Sequence, residues 1–127
     1  MNKLSILFCG VLSLALVACG GDGGSSGLPD SKVVGTLTVA EAEALCTELA
    51  GVFPERMVTC GTTTITIGID PADCAGDQPP TTCTATVGQF RDCFEAFGDL
   101  SDAQICDENT PTPPACEPVL SAGCTGN

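Results

Sequence analysis

Thr86-Val87-Gly88-Gln89-Phe90-Arg91-Asp92-Cys93-Phe94-Glu95-Ala96-Phe97 carries two independent helix signals in one short stretch. Thr86 and Gln89 have the spacing of a capping box, in which a hydroxyl and an amide each satisfy a backbone N–H at a helix start. Phe90, Cys93, Phe94 and Phe97 then recur at i, i+3, i+4 and i+7, the rhythm of one helical face. The stretch predicts a helix over about 87–97, with the aromatic stripe as core and Cys93 as a crosslink into that core. Arg91 and Glu95 stand at i, i+4 away from the stripe and are expected to pair at the surface, for about 0.3 kcal/mol.

Outward from this helix the same grammar repeats. Thr38 and Glu41 form a second capping-box pattern, and Ala42, Leu45, Cys46 and Leu49 share one face before Gly51, which predicts a helix over about 39–50. Glu41, Glu43 and Glu48 fall off that face and are expected to be solvated. Between the helices, residues 57–60 and 64–69 are rich in β-branched residues, and Ile65, Ile67 and Ile69 alternate with Thr64, Thr66 and Gly68. They predict a short hairpin or three-stranded patch with the isoleucines turned inward, too short to be stable unless helices cover it. Ser101 to Gln104 starts a short third helix carrying Ile105 and Cys106. A last helical turn is expected near 119–122, with Pro118 at its first position and Gly123 at its end. The fold class is therefore α+β, mostly helical: a small disulfide-rich domain of about three short helices and a short β-hairpin.

Size and composition limit what this domain does. Residues 38–127 hold 18 large aliphatic or aromatic residues in 90 positions, a thin core that is marginal without crosslinks. The chain has no His, Trp or Tyr, which excludes Ser-His and Cys-His nucleophile systems and imidazole metal ligands. Past residue 18, only Lys32, Arg56 and Arg91 oppose sixteen acids, a net charge of about −13. Nucleic acid is excluded as a partner, because such a surface repels phosphate backbones.

The N-terminus is a targeting segment. Met1-Asn2-Lys3 is followed by an uncharged apolar run from Leu4 to Ala18. As a helix that run reaches about 22 Å, short of the roughly 30 Å needed to span a bilayer, so it reads as the apolar region of a signal peptide. It ends in Leu16-Val17-Ala18-Cys19, which resembles the lipobox of bacterial lipoproteins. The resemblance implies cleavage between Ala18 and Cys19 by signal peptidase II, a diacylglyceryl group on the Cys19 sulfur and acylation, palmitate-like, of its new amine. Two or more acyl chains hold a protein stably on a membrane. Ordinary release is the alternative, since cutting after Gly20 satisfies the small-residue rule with Ala18. The expected organisation is a signal peptide over 1–18, a lipidated Cys19 with a flexible Gly/Ser-rich linker over 19–37, and a globular domain over 38–127. The implied location is the bacterial cell envelope, at the outer membrane if the cell is Gram-negative, with the domain in the periplasm or at the cell surface. From Gly20 to Leu37 a random coil would reach about 23 Å.

Cys9 leaves with the signal and Cys19 is assigned to lipid, which leaves an even set: Cys46, Cys60, Cys74, Cys83, Cys93, Cys106, Cys116 and Cys124. In an oxidising compartment these read as up to four disulfides; they allow 105 pairings, and spacing does not choose among them. No tight C-x-x-C suggests zinc or redox chemistry. The domain is also similar to acidic, cysteine-rich lipoproteins of myxobacterial type, through its composition, the lipobox and the segment Cys83 to Cys93, a resemblance that implies no activity.

Candidate chemistry is sparse. Asp70, Asp73 and Asp77 crowd a Gly- and Pro-containing loop of the kind a calcium ion uses, although the spacing is not that of an EF-hand. The same residues also cap turns. Two proline-bearing stretches, 76–80 and 109–114, read as stiff recognition loops. The expected role is a non-catalytic binding or structural module of the envelope, with no cofactor, held to the membrane by its lipid and meeting an envelope or extracellular protein. A tethered inhibitor of an extracellular hydrolase is the alternative, and an acidic calcium-binding module follows it.

Overall fold

A computed structural model describes residues 25–76 and 78–124. The expected signal peptide over 1–18, the expected lipidation site Cys19, and Asp77 lie outside the described residues. Three helices begin at side-chain caps. Helix α1, Val39–Val52, starts at Thr38 with Glu41 completing the box; α2, Val87–Gly98, starts at Thr86 with Gln89; α3, Asp102–Cys106, starts at Ser101 with Gln104. In each, two otherwise orphaned N–H groups find partners within four residues, so the start is set locally. Helix α4, Glu117–Ser121, grows instead out of a 3-10 turn over Pro114–Cys116. It lies two residues earlier than expected, and Pro118 sits in its first turn, where no amide is needed.

Helix α1 runs past Gly51, which keeps a negative φ, and ends at Phe53. Pro54 supplies the stop, because the residue before a proline is pushed out of the helical region.

The expected hairpin is two-stranded. Strand β1, Arg56–Cys60, pairs antiparallel with β2, Thr63–Ile67, and Val58 faces Ile65 across the ladder. Gly61, at φ +65°, opens a two-residue turn with Thr62, the position that a type II′ turn gives to glycine. One face carries buried Val58 with half-buried Ile65 and Ile67, while Met57 on the other is 76% exposed. The second strand stops before Ile69 because Gly68 takes φ +106°, with its Cα packed so close to Pro54 that an added Cβ would lie 2.3 Å from the Pro54 oxygen. Ile69 instead bonds its N–H to the Phe53 carbonyl at 2.9 Å and forms an isolated bridge with Pro54.

All eight cysteines of the domain are paired, as Cys46–Cys74, Cys60–Cys106, Cys83–Cys124 and Cys93–Cys116. Cys93–Cys116 is buried and joins α2 to the turn before α4. Cys60–Cys106 ties the hairpin to α3, and Cys46–Cys74 ties α1 to a 3-10 turn over Pro71–Cys74. Bridges closing loops of 23 to 46 residues each restrict the unfolded chain by an amount on the order of 3–4 kcal/mol.

The folded unit reaches further toward the N-terminus than a linker ending at residue 37. Val34 and Leu37 are core residues, 1% and 3% exposed, packed with Leu45, Leu49, Val87 and Val119. The segment is stitched along the approach to α2: Val34 donates to the Ala85 carbonyl at 2.8 Å, Gly35 to Cys83 at 3.1 Å, and Val87 donates back to Lys32 at 2.9 Å. Its glycines and serines read as a spacer, but Val34, Leu37 and the partly buried Leu28 give it an apolar face that the thin core needs.

Candidate functional site

Helix α2 presents two chemically opposite faces. On the apolar face Cys93 is buried, and Phe90, Phe94 and Phe97 pack against the core as expected, though only partly buried. The domain has too few large apolar residues to cover all three rings. Phe53, brought in by the end of α1, stands 6.2 Å from Phe94 and 6.2 Å from Phe97 between ring centroids. Phe94 stands 6.2 Å from Phe90. These distances suit offset or tilted ring contacts.

Two grooves open on this row of rings. The larger, about 460 Å³, lies between Phe53, Phe94 and Phe97 on one side and Ile105, Pro111 and Pro113 on the other, with Ile67 and Gly68 at the end of β2. The smaller, about 360 Å³, lies between Leu45 and Leu49 of α1, Phe90 and Phe94, and the pair Pro79-Pro80. Phe94 therefore borders both, and each proline-bearing loop singled out in the sequence walls one groove. Pro113 is buried, so the second loop folds against the domain as a wall rather than standing out from it. Polar groups in the larger groove are few: Gln104, Asp107, Thr110 and Thr112. The Asp107 carboxylate accepts from the Asn109 amide at 2.9 Å and from Asn109 Nδ2 at 3.1 Å, which holds it ionised and below the usual carboxylate range.

The other face of α2 is closed by ion pairing. Arg91 does not meet Glu95 as expected; its Nε and Nη2 bond the two Glu48 oxygens at 2.6 and 3.0 Å, and its Nη1 holds Asp30 and, at 3.1 Å, the Leu28 carbonyl. Glu48, expected to be solvated, is 8% exposed and also accepts from the Ser26 amide at 2.8 Å and Ser26 Oγ at 2.6 Å. A bidentate guanidinium beats a single i, i+4 contact because it satisfies both carboxylate oxygens in a fixed plane. Arg91 first, then Ser26, hold the Glu48 carboxyl down to about 2, and the two carboxylates raise Arg91. Glu41 is likewise held at about 2, by Lys32 and by the Thr38 amide it caps.

The acidic loop is used structurally among the described residues. Asp70 caps its own turn by accepting from the Ala72 amide at 2.9 Å, and Glu43 accepts from the Gly76 amide at 2.9 Å. No three potential metal ligands converge among the described residues. The eight bridged cysteines hold sulfur in disulfides, so none of them presents a thiolate. Among the described residues no helix is long and apolar enough to cross a membrane. Phe53 was not marked by any sequence pattern; its only signal is an aromatic directly before the proline that ends α1. No protein family, curated protein or solved structure matches the chain, so its function is read from its own residues.

Proposed function

We propose that the protein is a lipid-anchored module of the bacterial cell envelope, non-catalytic, whose larger apolar groove binds a partner. One observation carries the binding reading: a domain short of apolar residues leaves Phe53, Phe94 and Phe97 only partly buried beside the wall of Pro111 and Pro113, where full burial would add about 25 cal/mol for each Å² covered. Apolar surface kept open at that cost in stability is characteristic of interaction sites. The lipobox and the apolar run before it support the anchor, and a domain that depends on four disulfides requires an oxidising compartment.

The experiment has two arms in the producing cell. A clickable palmitate analogue is expected to label the wild-type protein and not Cys19→Ala; equal labelling of both disposes of the anchor. A photo-crosslinking amino acid placed at Leu100, in the lining of the groove, is expected to give one discrete adduct that Phe97→Ala removes. A smear unaffected by Phe97→Ala disposes of the groove.

A further inference from the structure

The occupant of the larger groove is constrained by charge. Asp107 lines it, and Asp99, Asp102 and Glu108, all exposed, flank the lining residues Leu100 and Asp107 in sequence. Every cation among the described residues already holds a carboxylate: Lys32 with Glu41, Arg91 with Glu48 and Asp30, and Arg56 with Asp102. Arg56, the one cation on this side, also spends a donor on the Leu100 carbonyl at 3.1 Å. The groove is thus an apolar floor lined by one carboxylate, Asp107, with the exposed Asp99 and Glu108 next to lining residues in sequence and no counter-charge to spare. A second copy of this chain, at a net charge of about −13 past residue 18, is repelled from it, and so is an anionic lipid surface.

A second observation concerns the shape of the occupant. Strand β2 pairs only with β1, and among the described residues no other backbone bond reaches Thr63–Ile67. Counted from the two-residue turn, the antiparallel ladder leaves the N–H and C=O groups of Thr64 and Thr66 directed away from β1. This edge ends at Ile67 and Gly68, which border the groove.

We propose that the larger groove docks an extended segment of a partner protein in which apolar and basic side chains alternate, its backbone adding to β2, its apolar side chains on Phe94 and Phe97, and its basic side chains at the rim of Asp99, Asp107 and Glu108. The inference rests on the groove being a binding site, as proposed above, and adds the class of partner. Strand addition supplies affinity through main-chain bonds, and the pockets and rim select the side chains.

The test uses the mature protein in neutral phosphatidylcholine vesicles, which serves whether or not Cys19 carries acyl chains. Three short synthetic peptides alternate leucine with lysine, with serine or with glutamate, each around one tryptophan. The chain itself contains no tryptophan, so the emission belongs to the peptide, and protein-free vesicles give the blank. The lysine peptide is expected to bind roughly tenfold or more tightly than the serine peptide, and the glutamate peptide weakest of the three. That gap is expected to shrink in about 0.5 M salt, where charges are screened within a few ångström. Phe97→Ala is expected to weaken the lysine and serine peptides about tenfold, with Leu100→Ala as a second variant should the first lower the melting temperature. Asp99→Asn with Glu108→Gln is expected to weaken only the lysine peptide. Equal binding of lysine and serine peptides overturns the basic partner while leaving an apolar groove. Tight lysine binding that neither Phe97→Ala nor Leu100→Ala weakens overturns the groove itself. Concentration-dependent dimers that block the peptide assign the face to a second copy instead.

Discussion

The two faces of α2 are made by the same twelve residues and end in opposite states. On one, Arg91 is saturated: Glu48, Asp30, Ser26 and the Leu28 carbonyl take its donors and fasten the N-terminal segment over the helix. On the other, Phe90, Phe94 and Phe97 pack against the core and border the two grooves with the surface that remains. The difference lies in what remained of the chain. Ion pairing costs desolvation and is worth having only when every oxygen and N–H is matched, so the polar face is completed or not built at all. Apolar contact is graded with area, and a small domain can leave it unfinished. The polar face therefore has its charges matched, while the apolar face, packed on the core through Cys93, keeps ring surface that borders the two grooves.

The largest expected effect breaks the closed face. Arg91→Ala leaves Glu48 buried without its counter-charge and should cost about 3–5 kcal/mol in denaturant unfolding, with the disulfides kept intact. Glu48→Leu combined with Arg91→Leu should recover most of that loss. If the double variant is as unstable as Arg91→Ala, charge matching is not what closes this face.

A pH titration sharpens the same point. The Glu48 carboxyl lies at about 2 instead of its ordinary 4.5, so its stabilisation, up to about 3 kcal/mol, is fully present above pH 4.5 and is lost as the pH falls from there toward 2. Glu48→Gln should shallow that acid limb of the unfolding free energy, leaving the share that Glu41 contributes in the same range; an unchanged acid limb contradicts the assignment.

The open face should tolerate more. Phe97→Ala, at a partly buried ring on the groove, is expected to cost less than Leu45→Ala, which at 3% exposure should cost about 2–5 kcal/mol. Thermal melts of the two variants side by side decide it, and equal losses would make the groove part of the core. Smallest of all, Arg56→Ala removes a solvent-exposed pair with Asp102 and should change stability by no more than about 1 kcal/mol.

Much of the fold was legible because its signals are local. Thr38, Thr86 and Ser101 each announce a helix by a partner three residues on, and the cap needs nothing further away. The strands showed in their β-branched runs, and the Gly61 turn fits the residue type it requires. Other features were out of reach of such reasoning. Glu48 lies off the α1 core stripe and reads as solvated until Arg91 and Ser26 arrive, 43 and 22 residues away. The segment before α1 reads as a spacer until Val34 meets Ala85. Of the site, the two proline loops and the phenylalanine stripe were visible in the sequence, but their convergence on two grooves was not, nor was the part played by Phe53.

What the sequence determined by itself is where the three capped helices start, that the folded domain holds an even set of eight cysteines, and that its surface is strongly acidic. Those follow from bonds and charges that act within a few residues or do not depend on arrangement. Tertiary structure alone decided which cysteine meets which, that Arg91 turns to Glu48 rather than Glu95, and which side of α2 stays uncovered. These are choices among distant partners, settled by how the few apolar residues can be buried while each buried charge is matched.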